Sequence, residues 1–185
     1  MGSCARGAVR IIGGRWRRTR IPIAAQRELR PTADRIRETL FNWLAMHLPG
    51  ARCLDLFAGT GALGFEALSR GAAFCQFVEH DAVSVAQMNV LKQRLDTSSA
   101  EILHTDAFRW LRRTPQAFDI VFLDPPFESP MLDRALKCIE QGWTTAASIV
   151  YLEAPSGKLP ETKSWQTIKQ NATRHVSYAI VQRSR

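Results

Sequence analysis

Short apolar runs alternate along this chain with longer stretches of helical periodicity. Apolar runs at residues 51–57, 74–79, 101–105, 118–124 and 148–153 are each bounded by turn residues, as buried strands are. Between them, helical spacing predicts helices from just after Gly61 to Arg70, over 82–95, around 108–113 and over 131–141. Val85, Met88, Leu91 and Leu95 form the apolar stripe of the second of these. Strands alternating with helices predict an α/β fold with a mostly parallel sheet and right-handed crossovers. The chain closes with two alternating segments, 164–169 and 173–182, around Asn171-Ala172, which read as an antiparallel hairpin.

Upstream of the first sheet strand, a helix is predicted over 33–48. Its stripe is Ile36, Leu40, Trp43, Leu44 and Leu48, with Arg35, Glu38 and Asn42 off the stripe. Thr32 is the expected N-cap, Asp34 suits the first turn, and Pro49-Gly50 ends the helix. Further upstream, 9–12 and 15–21 flank Gly13-Gly14 and read as a β-hairpin arm. One face of its second strand would present Arg15, Arg17 and Thr19. The organisation is an N-terminal arm and flanking helix over 1–50, joined to an α/β domain over 51–185 as one compact unit.

With 185 residues a single domain is the prior, long enough for a sizeable core. The chain start lacks a hydrophobic signal core, and no apolar run reaches the ~18 residues of a membrane helix. Cys4, Cys53, Cys75 and Cys138 are scattered and form no C-x-x-C pair, and four scattered histidines offer no metal spacing. Reduced thiols, a cytoplasmic location and no membrane association are expected. Charge changes the picture more. Residues 1–40 hold ten arginines and three acids, whereas 41–185 hold fifteen basic and fourteen acidic side chains. The net charge of +8 is therefore concentrated in the arm, and there it is all arginine. Arginine binds phosphate bidentately and stacks on bases, so Arg10, Arg15, Trp16, Arg17 and Arg18 are the candidate RNA contacts. A solvated basic tail is the plainer reading.

Candidate chemistry gathers at the predicted strand ends, where open α/β sheets bind ligands. The run 118–124 ends in Asp124-Pro125-Pro126-Phe127. Proline lacks an N–H and locks φ, so the ladder stops in a stiff turn with free carbonyls. Asp124, a Pro125 carbonyl and the Phe127 ring could together hold a planar amino group. After the first sheet strand come Asp55, Phe57, Ala58, Gly59 and Gly61, followed by a helix. Gly59, Gly61 and Gly64 run G-x-G-x-x-G, a turn that lets a ligand approach a helix N-terminus. Asp55 would repel a pyrophosphate but welcome an ammonium group. Glu79 lies eighteen residues after Gly61, where an acid takes ribose hydroxyls in nucleotide folds. Asp81 reads as a helix cap. Asp106, at the next strand end, reads equally as a cap or as a partner for an adenine amino group.

Taken together, these motifs resemble the S-adenosylmethionine-dependent amino-methyltransferases. More narrowly, the chain resembles the bacterial RsmD-like family of small-subunit (16S) ribosomal RNA guanine-N2 methyltransferases. The matching residues are Arg10-Ile11-Ile12-Gly13-Gly14, the run from Arg30-Pro31-Thr32 through Arg35-Ile36-Arg37-Glu38 to Trp43-Leu44, the glycine motif from Asp55 to Gly64, and Asp124-Pro125-Pro126-Phe127. The likeness covers about residues 9–155. It implies a Rossmann-like class I fold with a seven-stranded sheet, an S-adenosylmethionine cofactor and no metal. It further implies that residues from Asp55 to Gly61 hold the methionine part and that Glu79 takes the ribose. His80 and Ala107 would border the adenine, Asp106 would bond its amino group, and Thr32 would lie near the carboxylate. The implied partner is 16S ribosomal RNA or an assembling small subunit, met by a monomer. A DNA or other RNA amino-methyltransferase acting on adenine or cytosine shares the Asp-Pro-Pro-aromatic site, but this chain has no room for a separate target-recognition domain. A protein glutamine methyltransferase resembles Asn-Pro-Pro-Tyr instead, and Asp55 disfavours a dehydrogenase. A non-catalytic ribosome-assembly factor that kept the fold is the alternative from outside enzymology.

Overall fold

The computed structural model describes residues 8–22, 31–126, 130–161 and 163–184. Its frame is a seven-stranded sheet in the order β5-β4-β3-β6-β7-β9-β8. The strands are β3 (Arg52–Asp55), β4 (Phe74–Glu79), β5 (Ala100–His104), β6 (Phe118–Leu123), β7 (Thr144–Pro155), β8 (Trp165–Ala172) and β9 (Val176–Arg183). The first five are parallel, and β9 runs antiparallel between β7 and β8. The expected seven-stranded α/β fold with an antiparallel C-terminal hairpin is therefore observed. The hairpin's turn lies later than expected. Asn171 and Ala172 are paired with Tyr178 and Ser177, and the chain reverses at 173–175 instead. Thr173 holds that reversal, its hydroxyl accepting from the amides of His175 and Val176.

Helices cover both faces, because the central strands are buried on both sides. On one face, α1 (Pro31–Trp43), α2 (Ala62–Ser69) and α3 (Ala82–Arg94) enclose Phe41, Phe65, Phe77, Phe122 and Tyr151. On the other, α4 (Ala107–Trp110) and α5 (Met131–Ile139) enclose Trp110, Phe118, Leu136 and Trp143. Cys53 and Cys75 pair across β3 and β4 inside the first core, and burial pushes both thiols well above their ordinary range. Among the described residues no helix is long and apolar enough to cross a membrane.

The first helix departs from expectation at both ends. It opens at Pro31, so Thr32 lies inside its first turn rather than at the cap; Pro suits a first helical position because its missing N–H would be unpaired there. It ends at Trp43, and 44–47 form turns that still bury Leu44 and Leu48.

The arm departs further. Its strands are only β1 (Ala8–Arg10) and β2 (Arg20–Pro22), with Val9 opposite Ile21. The expected strand over 15–21 does not form, so no face alternates Arg15, Arg17 and Thr19. The cause is α2. Glu66 accepts the amides of Ile12 and Gly13 at 2.6 and 2.8 Å. Ser69 accepts those of Arg15, through its carbonyl, and Trp16, through its hydroxyl. Amides satisfied this way are not available to a partner strand. Ile11 and Ile21 join the core beneath.

Candidate functional site

Four acids end four neighbouring parallel strands. Asp55 closes β3, Glu79 closes β4, Asp124 follows β6, and Asp106 stands two residues after β5. The strand order puts β3 beside both β4 and β6, so this edge contains the switch point of the winding, where ligands of such sheets bind. A cleft of about 300 Å³ opens there. Of the residues singled out from sequence, Phe57, Gly59, Glu79, His80, Asp106, Ala107, Asp124 and Pro126 line it. Thr60 of the glycine motif lines it as well, as do Ser84, Thr105 and Met131, which carried no distinguishing pattern in the sequence.

Glu79 is 7% exposed and shapes this cleft from below. One carboxylate oxygen accepts from Gly59 N at 2.6 Å, and the other from the amides of His80 and Asp81, both at 2.8 Å. A carboxylate has about four lone-pair sites. Three backbone donors therefore fix it, and acceptor capacity remains toward the cleft. His80 places Nδ1 3.0 Å from the same carboxylate while its ring is largely exposed. Asp81 caps α3 as expected, and its bonds from Ser84 hold its carboxyl below the usual range. Asp106 caps α4 through Arg109 N at 2.8 Å and also lines the cleft.

The glycine turn sits on Asp55. This carboxyl does not line the cleft; it is 2% exposed and accepts from Gly64 N at 3.0 Å. Burial pushes it up to about 7, with the charge of Glu79 adding to the shift and the Gly64 bond opposing it. Ala58 and Gly61 also lie off the cleft surface; Gly61 takes φ +77 at the start of α2. Thus the turn meets the cleft through Gly59 and Thr60.

At the end of β6, Asp124 is half-buried and faces the cleft. Pro125 is buried and borders a neighbouring hollow with Glu153. Phe127 lies outside the described residues, as does the side chain of Thr32. Behind Asp124, the Tyr151 hydroxyl donates to Glu153 at 2.6 Å. Burial raises both groups, and the charges of Glu153 and Asp124 raise Tyr151 further. The phenol therefore stays neutral and able to donate. Sequence reading missed this pair, which lies in the apolar run of β7.

Comparison with known proteins gives the family. The family model described as conserved hypothetical protein 95 matches residues 9–182. The ribosomal RNA small subunit methyltransferase D of Haemophilus influenzae is 40% identical over 184 residues, spanning 96% of this chain and 95% of its own. The chain belongs to the ribosomal RNA small subunit methyltransferase D family. Its Escherichia coli K12 member is 38% identical over 180 residues, covering 96% of this chain and 91% of that one. A solved structure of a candidate methyltransferase from Escherichia coli superposes with a TM-score of 0.88 at 37% identity, covering 96% and 99% of the two chains.

The candidate RNA contacts of this family member lie elsewhere. Arg15, Arg17 and Arg18 are exposed in a turn at the far end of α2, and Arg15 lies 4.0 Å over the half-buried Trp16 ring. Arg10 is exposed on β1, where its carbonyl accepts from Arg37. Eight residues of helix, about 12 Å, separate this turn from the glycine loop. Among the described residues no cluster of His, Cys, Asp and Glu could hold a metal ion.

Proposed function

We propose that the protein transfers a methyl group from S-adenosylmethionine to the exocyclic N2 amino group of a guanine in 16S ribosomal RNA. The observation that carries this reading is that Asp124 and Pro126 line the same cleft as Glu79 and Asp106. An amino-group acceptor then stands beside a set of acceptors suited to a nucleoside. The residues fit the cofactor: Glu79 keeps acceptor capacity for ribose hydroxyls, and Asp106 and Ala107 stand where an adenine amino group and ring edge would rest. Gly59, with no side chain, lets the chain approach closely, and Phe57 and His80 border the site. Asp55 acts from beneath the turn (with Ala58 and Gly61) as the counter-charge for an ammonium group, and Thr32 lies near the carboxylate. S-adenosylmethionine supplies an electrophilic sulfonium methyl.

Guanine N2 is a poor nucleophile because its lone pair is delocalised into the ring. Asp124 and the Pro125 carbonyl accept its two hydrogens and orient the lone pair; Pro126 stiffens the turn and Phe127 stacks on the base. The N2 lone pair bonds to the methyl carbon as that carbon's bond to sulfur breaks, the bonding pair staying on sulfur, which leaves as a neutral thioether, and one N2 proton passes to Asp124 or water. Orientation supplies much of the rate, since well-placed groups contribute ~7–11 kcal/mol. The base must leave its stack to enter. Arg10, Arg15, Trp16, Arg17 and Arg18 hold RNA, free or in an assembling small subunit, and the protein works as a cytoplasmic monomer.

Mass spectrometry of ribosomal RNA nucleosides with and without the gene tests the reading. Loss of one N2-methylguanosine, restored by the wild-type chain but not by Asp124→Ala, is the expected result. An unchanged nucleoside profile overturns it.

A further inference from the structure

A second groove lies at the same sheet edge. It measures about 640 Å³ and is walled by Arg35 and Thr39 of α1 and by Asn171, Thr173 and Tyr178 of β8, its turn and β9. The strand register connects it to Asp124. Leu123 pairs with Leu152, Glu153 with Tyr178, and Tyr178 with Asn171. Asp124, Glu153, Tyr178 and Asn171 therefore form one row across four neighbouring strands. At ~4.8 Å per strand, Asn171 stands about 14 Å from the end of β6, within reach of a nucleotide or two of unstacked RNA.

The groove's chemistry suits a nucleotide. Arg35 is exposed, as are Lys169, Arg174 and His175 beside the turn, and no acid lies between 169 and 175. On α1, Asp34 is engaged by Arg37 at 2.7 Å, and Glu38 does not line the groove. Asn171 uses its side-chain oxygen on Ala172 N at 2.7 Å, which leaves its two amide hydrogens for an outside acceptor. Thr39 donates to the Arg35 carbonyl, which leaves its oxygen able to accept. The floor is firm: Tyr178 is buried and stacks on Trp43 with ring centroids 5.5 Å apart.

We propose that this groove binds a single-stranded nucleotide flanking the target guanosine, with Arg35 on its phosphate and the Asn171 amide on its base edge. Unpaired RNA bases are read through such edges, and arginine matches phosphate geometry. The inference rests on the reading that the chain acts on RNA. It assigns a role to residues beyond 155, and a contact point separate from the arginine turn.

Equilibrium binding of radiolabelled 16S RNA tests it, using protein-free RNA and small-subunit particles from cells lacking the gene. Both R35A and N171A are expected to weaken binding to protein-free RNA about tenfold, the effect of losing a charged or base-specific hydrogen bond. Affinity for S-adenosylmethionine and thermal unfolding should be unchanged, and R35K should recover most of the binding. Unchanged affinity for protein-free RNA overturns the proposal. A loss seen only with particles also overturns it and assigns the groove to a ribosomal protein. Methyl incorporation by the wild type is followed in parallel. If none occurs while the groove variants still lose RNA affinity, the groove stands and the reading of the reaction falls.

Discussion

Gly59 donates its backbone N–H to Glu79 at 2.6 Å, joining the glycine turn after β3 to the end of β4. The same carboxylate holds the entry to α3 through His80 N and Asp81 N. One buried side chain thus sets the positions of two loops that border the cleft. Glu79→Ala leaves three amides without an acceptor. The expected cost is about 3 kcal/mol of stability, together with a loss of S-adenosylmethionine affinity. Urea denaturation and calorimetric titration measure the two. Full affinity in a destabilised variant would remove Glu79 from the ligand and leave it a structural role only.

Two glycines with nearly the same backbone provide an internal comparison. Gly14 has φ +74 and Gly50 φ +77. A Cβ at Gly14 would lie 1.8 Å from the Ser69 carbonyl oxygen, whereas at Gly50 it meets nothing within 4 Å. Gly14→Ala should therefore cost about 3 kcal/mol or more, and Gly50→Ala about 1 kcal/mol from the left-handed backbone alone. Equal costs in urea would contradict the close docking of the arm on α2.

Asp55 gives a pH signature. Its carboxyl is raised from 3.8 to about 7, chiefly by burial. The folded state thus keeps a proton that the unfolded chain releases, and stability falls as pH rises from about 4 to 7. Asp55→Asn, which can still accept from Gly64 N, should flatten this decline in the ligand-free protein. Thermal melts across that range decide the matter; parallel curves for the two proteins would refute it. An ammonium group bound above Asp55 would favour the carboxylate. Cofactor binding near pH 6 should then release a proton, visible as a buffer-dependent heat in titration calorimetry.

The arginine turn predicts a salt effect. Each phosphate contact contributes roughly 0.7 to 0.9 to the slope of log affinity against log salt. Replacing Arg15, Arg17 and Arg18 with alanine should weaken RNA binding and reduce that slope, with the rate at saturating RNA preserved because the turn is remote from Asp124. An unchanged slope would leave the turn as a solvated surface.

The acids at the strand ends were legible because strand and turn chemistry mark them locally. β4 spans 74–79 as its apolar run indicates, and Asp124-Pro125-Pro126 ends β6 because proline cannot extend the ladder. The arm was misread because its partner is distant. Gly13-Gly14 between two β-type runs suggests a tight hairpin, yet Glu66, more than fifty residues away, takes the amides that such a hairpin would pair. One local clue existed. Glu66 stands within the apolar run Ala62–Ser69, and a carboxylate buried there needs donors. Nothing comparable marked Tyr151 and Glu153, whose bond depends on two residues of one strand face turning toward the same edge.

The length of α2 has a consequence of its own. Its first turn supplies Gly64 N to Asp55, and its last supplies Glu66, itself paired with Arg70, and Ser69 to the arm. Each residue of an α-helix advances ~1.5 Å and rotates ~100°. Inserting one residue between Gly64 and Glu66 would swing the carboxylate about a quarter-turn away from Gly13 while leaving the glycine turn in place. The helix therefore works as a gauge between two unrelated tasks, and loops elsewhere can vary in length where this segment cannot.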